Sequence, residues 1–464
     1  MHLRLRDPLF FSDRAFWRTL LTLGIPMALQ NLISTSLNLT DNLMVGQLGE
    51  KALGGLALAN QLTFLAILFL YGMGSGAAVF ASQYWGAKDL GGVKRTQGAV
   101  LILAVVPALL FGAMCSLIPE FLIGLYTSDP EIRALGALYL RISSLGFPFI
   151  AVTISFSMLL RSTGRVKIPL TMTVIALVIN IGLNYLLIFG WGPVPALGVA
   201  GSATGTVIAR FVEASGIVVL SYVFRTANTG RLSELFHFSR AFVGKFLRVG
   251  LPVVANDFGW ALGMTTLMSV YAHLGSASLA AVSITDTIGQ FLTLFLFASV
   301  NATTTLTGNL VGAGRIFRTK LLVRRTLRFA VALGTVLGLF LIASSPWLPN
   351  LFRISDEARG LASATMVVFA FLLPFRSLLY HQTVGLFRGA GDTKFPLYLE
   401  VGGVWLLGLP PALLAAQVFH WPVWAVFAAA VVNEAFLAVG ATFRFRSNRW
   451  IKPVTGPSGP SSLS

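Results

Sequence analysis

The chain has 464 residues, of which 55% are hydrophobic and only 11% charged, and its mean hydropathy is +0.79. So few charges cannot cover a soluble protein of this size, which excludes a soluble multidomain enzyme and leaves a polytopic, all-α integral membrane protein. The formal charge of +17 would suit nucleic acid, but its distribution along the chain assigns it to membrane topology.

Apolar runs of bilayer length fall at about 16–46, 53–82, 96–119, 134–160, 168–190, 196–223, 246–272, 279–311, 326–349, 360–386, 396–419 and 424–443, which makes twelve spans. The N-terminus, the even-numbered connections and the tail hold 27 Lys and Arg residues, among them Lys94, Arg161, Arg240, Arg325, Arg388 and Arg444. The odd-numbered connections hold only Lys51, Arg133, Arg353 and Arg359. This bias predicts that both termini are cytoplasmic and independently supports an even number of spans.

The first span has no convincing small-residue cleavage site and reads as a retained helix. It contains "GIPMALQN" (24–31), with Gln30 as a cavity candidate, and then "LNLTDNLMVGQLG" (37–49), which places Asp41 at membrane depth. An ionisable residue there is costly and carries a functional hypothesis by default. In the second span "GMGSGAAVF" (72–80) supplies small residues for close helix packing. The lone cysteine, Cys115 in the third span, excludes an intrachain disulfide or a Cys-based metal site.

Asn180 and Asn184 lie one turn apart on the fifth span, and Thr204 opens the sixth. With Asp41 they form a set of hard oxygens able to hold a proton or Na⁺; the alternative is an Asp–Asn contact that ties helices together. Glu213 follows Arg210 by three residues, which reads as a local ion pair. On the seventh span Asp257 stands beside Asn256 and one turn before Trp260. An unpaired acid near an aromatic suits a cationic aromatic substrate, and a satisfied polar contact is the alternative. Asp286 on the eighth span serves either function or interhelical bonding, and Arg376 on the tenth either neutralises an acid or meets an anionic group. Glu400 and Glu434 either line a cavity or anchor a neighbouring backbone. "RGAGDTKFP" (388–396) resembles a phosphate loop but lacks the strand–helix context, and no Walker motif appears, so no ATP site or cofactor is expected. The histidines are scattered, and the tail "TGPSGPSSLS" has a disordered composition.

An internal repeat organises these spans. "GIPMALQN" aligns with "GLPVVAND" (250–257) at an offset of 226, which also pairs Leu48-Gly49 with Leu274-Gly275 and Gly86-Ala87 with Gly312-Ala313. At 227, "RSTGRVKIPL" (161–170) pairs with "RGAGDTKFPL" (388–397). Each repeat has six spans, so the halves are two parallel six-helix bundles related by a pseudo-two-fold along the membrane normal. The predicted organisation is an N-terminal half 1–223, a cytoplasmic linker 224–245, a C-terminal half 246–446 and a disordered cytoplasmic tail 447–464. Such architecture suits alternating access, with the substrate path between the halves. The repeat is asymmetric in charge: Asp41 pairs with Leu267, Asp257 with Asn31 and Asp286 with Asn60.

In order along twelve spans, "GIPMALQN…TDNLMVGQLG", "LRSTGRVKIPL", "INIGLNYLLIFG", "PALGVAGSATGTVIAR", "GLPVVANDFGWALG", "LFRGAGDTKFPL" and "FRFRSNRWIK" resemble the MATE (multidrug and toxic compound extrusion) family, bacterial type, from about 15 to 450. The resemblance implies a secondary antiporter, not an enzyme. It would export organic cations or other amphiphiles against inward H⁺ or Na⁺, as a monomer in the bacterial inner membrane, without ATP, nucleic acid or cofactor. By that resemblance the cation site maps onto Asp41, Asn180, Asn184 and Thr204. The Glu and Asp characteristic of the NorM-like branch are replaced here by Trp260 and Ser377. The runner-up is a flippase for a lipid-linked precursor, which would carry a more cationic cavity than these embedded acids provide.

Overall fold

The computed structural model describes residues 14–455 apart from Arg353, and among them no strand forms. Twelve long helical segments follow in order. They are α1 Arg14–Gly46, α2 Glu50–Gly86, α3 Leu90–Leu117, α4 Pro130–Ser162, α5 Lys167–Phe189, α6 Val199–Val223, α7 Arg240–Ala272, α8 Ser276–Gly312, α9 Ile316–Ser344, α10 Asp356–Arg388, α11 Lys394–Val418 and α12 Val423–Arg446. Eleven are long and apolar enough to cross a membrane. The twelfth, α7, is 33 residues long and less apolar, carrying Arg240, Lys245, Arg248 and Asp257. Large apolar side chains such as Leu110, Leu117 and Phe317 are exposed, as a lipid solvent allows. This is a multi-pass membrane protein.

Local chemistry sets the helix ends. Asp89 caps α3 by accepting from Gly92 N at 2.8 Å, Asp129 caps α4 through the Glu131 and Ile132 amides, and Ser355 caps α10. Gly49 and Gly275, partners in the repeat, precede α2 and α8 at φ of +116° and +101°, a region that favours glycine. Prolines shape the interiors. α4 passes through a 3₁₀ turn at Ser144–Gly146 just before Pro148. α10 winds into a π-helical segment at His381–Arg388, and α11 contains two more, Gly403–Gly408 and Leu414–Val418, flanking Pro410 and Pro411.

The contacts sort the chain into two compact units, Ile25–Gly250 and Met1–Gly24 with Leu251–Ser464. The boundaries fall beside Pro26 and Pro252, inside α1 and α7 rather than between helices. The first unit therefore keeps residues 224–250, which the sequence assigns to a linker and the start of the second half. Its short helix Leu232–Leu235 packs on α3, where Gly98 meets the Leu235 carbonyl. Leu56, Ala59, Leu140, Phe147 and Ala203 form the centre of its core. The 72–80 stretch packs closely as expected: a Cβ on Gly76 would lie 2.8 Å from Gly250 Cα.

The second unit has a core around Leu296, Met366, Phe369, Leu373 and Phe427, and another around Phe387, Ala438 and Trp450. Residues 447–455 depart from the expectation of a disordered tail. Trp450 is buried and donates to the Phe445 carbonyl, while Lys452 Nζ pairs with buried Asp392 at 2.7 Å. Residues 456–464 of the predicted tail lie outside the described residues.

Candidate functional site

Within the first unit, Asp41 is 3% exposed and meets α5 and α6. Asn184 Nδ2 donates to Asp41 Oδ1, and it also reaches Asn180 Oδ1 at 3.3 Å. Thr206 Oγ1 donates to Asp41 Oδ2 at 3.2 Å and accepts from Asn180 Nδ2 at 3.2 Å. Tyr139 of α4 and Arg210 stand within electrostatic reach of the carboxylate. Asn180 and Asn184 are fully buried, and Asn184 Oδ1 has no hydrogen-bond partner. That oxygen fits only because position 205 is glycine: a Cβ there would sit 2.6 Å from it.

The helical spacing brought Asn180 and Asn184 to Asp41 as expected, but the hydroxyl differs. Thr204 turns back to donate to Ala200 O in its own helix at 2.8 Å, and Thr206 occupies the place assigned to it. The two positions lie about 200° apart around α6, so only one can face α1. Thr206, Tyr139 and Gly205 were not found from the sequence. The run "SATGTV" offered both threonines, and no charge or repeat partner chose between them.

Gln30 of the same unit belongs to a separate buried polar chain. It accepts from Arg161 at 2.7 Å and donates to Thr173 at 3.2 Å, and Thr173 donates to Glu213 at 2.8 Å. Glu213 also pairs with Arg210 at 3.1 Å, the i,i+3 contact the sequence predicted. Gln30 is thus a link between helices.

The second unit holds the remaining candidates in separate groups. Of the two readings of Asp257, the structure shows the satisfied contact: Arg388 reaches its Oδ1 at 2.9 Å. The sequence assigned Arg388 to a connection, but α10 continues through its π-helical segment and buries the guanidinium. Trp260 is 41% exposed. Asn256 donates to Glu400, which lies 3.8 Å from Arg388. Arg376 finds its partner in Glu434, with Nε donating at 2.8 Å and the second nitrogen completing a bidentate pair, and it lies over the Phe369 ring at 4.5 Å. Asp286 is half-buried, without a hydrogen bond, in the field of Arg376.

Among the described residues no group of three or more His, Cys, Asp or Glu is placed to hold a metal ion. What surrounds Asp41 is one carboxylate with amide and hydroxyl oxygens, donors suited to a proton or a hard monovalent ion. Such a site can change charge without a covalent step.

A family-wide sequence profile described as MatE matches residues 26–186 and 252–414, one stretch in each repeat. Similar over nearly the whole chain is the uncharacterized transporter YisQ of Bacillus subtilis, 25% identical, covering 95% of this chain and 96% of its own. The multidrug resistance protein PmpM of Pseudomonas aeruginosa is 27% identical, covering 86% of this chain and 83% of its own. Among solved structures, a variant of the Vibrio cholerae MATE transporter VcmN superposes with a TM-score of 0.85, covering 94% of this chain and 98% of that one at 18% identity.

Proposed function

The chain belongs to the MatE family of membrane transporters, and on that premise we propose that it is a secondary active multidrug efflux antiporter. It exports organic cations or amphiphiles by alternating access in exchange for inward H⁺ or Na⁺. Its place is the bacterial cytoplasmic membrane with both termini inside, in keeping with the placement of Lys and Arg. The PmpM and NorM relatives, named as multidrug resistance proteins, support the drug-like cargo.

The observation that carries the reading is the buried Asp41 with its two side-chain donors and the unpartnered Asn184 Oδ1 beside it. The repeat places Leu267 opposite Asp41, so the scaffold does not require an acid at that position. A buried carboxylate is costly unless neutralised, and an arriving H⁺ or Na⁺ supplies the compensating charge. Neutralisation loosens the hold of Asn184 and Thr206 on α1, lowering substrate affinity, and substrate binding in turn disfavours the ion. The coupling is a binding linkage, with Asp41, Asn180, Asn184 and Thr206 as the ion-binding set.

The test is uptake of a cationic dye by vesicles of reconstituted protein, with a pH gradient and a Na⁺ gradient imposed separately. Transport driven by at least one gradient is expected. Dye movement that ignores both gradients and follows added ATP would refute the antiporter.

A further inference from the structure

The buried polar chain that contains Gln30 ends beside the Asp41 cluster of the same unit. Thr173 Oγ1 donates to Glu213 Oε1 at 2.8 Å and Arg210 Nη1 donates to Glu213 Oε2 at 3.1 Å, so both oxygens of this carboxylate are held. On each helix the members of the chain stand about whole turns from the residues around Asp41. Gln30 precedes Asp41 by 11 residues on α1, Thr173 precedes Asn180 by seven on α5, and Glu213 follows Thr206 by seven on α6. One seam of three helices therefore carries both groups. Arg210 lies between them, one turn beyond Thr206 and three residues before Glu213.

The charges in this seam do not balance. Asp41 and Glu213 are buried carboxylates, at 3% and 2% exposure, and Arg210 is the guanidinium placed between them. Arg210 gives Glu213 a single N–H, its Nε is buried without a partner, and its field reaches Asp41. Two carboxylates that share one guanidinium leave one negative charge over, which one H⁺ or Na⁺ on Asp41 neutralises. The scaffold does not demand this ion pair. At the repeat offsets of 226 and 227 Arg210 meets Phe436 or Leu437, and Glu213 meets Val439 or Gly440.

We propose that Arg210 is the resident counter-ion of the Asp41 site: tethered by Glu213, its guanidinium competes with the transported cation for Asp41 and sets how tightly that cation is held. With the cation bound, each carboxylate has one positive partner. When the cation leaves, Arg210 serves both, so the emptied Asp41 is never a lone buried charge. Glu213 is a positioning residue, because it acts by holding the guanidinium back from Asp41. The other groups facing Asp41 are Tyr139 of α4 and the neutral Asn180 and Asn184 of α5. Arg161 of α4 stands at the far end of the chain, separated from Glu213 by Gln30 and Thr173. The proposal rests on the reading of Asp41 as the ion carrier and adds the residue that tunes it.

The experiment measures cation binding to purified full-length protein without cargo. One arm follows equilibrium binding of radioactive Na⁺; the other follows proton uptake in Na⁺-free buffer. Asp41→Asn defines the part of the binding that belongs to this site, and the half-saturating cation concentration of that part is the readout. Arg210→Gln should lower it about tenfold and Glu213→Gln should raise it about tenfold, as one unit charge lost near a buried site implies. Arg210→Lys keeps the charge and should stay within about threefold of wild type. An ion pair that only braces α6 would move stability in both variants alike and would not split their affinities in opposite directions. Should a single variant fail to fold, Arg210→Gln with Glu213→Gln leaves neither charge unpaired and must still bind more tightly than wild type, because Arg210 is the nearer of the two to Thr206 and Asp41. The proposal is overturned, with the reading of Asp41 intact, if Arg210→Gln and Glu213→Gln shift the affinity in the same direction or not at all. If Asp41→Asn binds as wild type does in both arms, the proposal and that reading fall together.

Discussion

Asp41 draws its hydrogen bonds from two other helices, and the donors can be tested one at a time. Thr206→Val removes the hydroxyl that reaches Asp41 Oδ2 with little change of shape, and about tenfold slower ion-driven efflux is expected, since a bond to a charged group contributes roughly 1.5–3 kcal/mol. Thr204→Val removes only a bond to its own helix and should leave the rate within about twofold of wild type. Initial rates of dye transport compare the two; equal losses would reject the assigned geometry. The carboxylate and both asparagines were legible in the sequence, because an acid at membrane depth is rare and a spacing of four fixes a shared helix face. The choice between Thr204 and Thr206 was not, because it depends on the rotation of α6 about its axis, set by packing such as the approach of Gly205 to Asn184. Asp257 was legible as an embedded acid, but its partner was hidden because Arg388 sat beyond the predicted end of its span.

At the scale of helices, the tightest approach tested by a single methyl is Gly98 on α3. A Cβ there would lie 1.9 Å from the Leu235 carbonyl, so Gly98→Ala should destabilise the first unit by about 1–3 kcal/mol, read as a lower melting temperature in detergent. An unchanged melting temperature would mean that the 232–235 segment is not docked. A second test uses the cap of α4. Asp129, outside the spans, accepts from the Ile132 and Glu131 amides, and these bonds hold its carboxyl below the usual carboxylate range. Because the folded value is depressed, its contribution is complete at neutral pH and is lost as pH falls through the folded value. Asp129→Ala should therefore melt below wild type at pH 7, and the two curves should converge in acid; a gap independent of pH would contradict the cap. The helices themselves were legible from apolar length. The π-helical segments in α10 and α11 were not, because hydropathy reports where a helix runs and is blind to a change of winding.

For the whole molecule, the repeat was the most informative sequence feature, and it carried the twelve-helix fold correctly. Contacts divide the chain beside Pro26 and Pro252, within α1 and α7, while hydropathy divides it at connections. The repeat assigned no structure to the tail, where one buried tryptophan and an Asp392–Lys452 pair order residues that composition reads as loose. What the repeat contributes to function is contrast: Leu267 opposite Asp41, and uncharged residues opposite Arg210 and Glu213, mark the charges that the shared scaffold can do without. If Asp41 carries the coupling ion, adding a cationic dye to vesicles of wild type should release H⁺ or Na⁺. Asp41→Asn should lose this dye-dependent counterflow while still binding the dye; equal counterflow in the two proteins would show that the ion binds elsewhere.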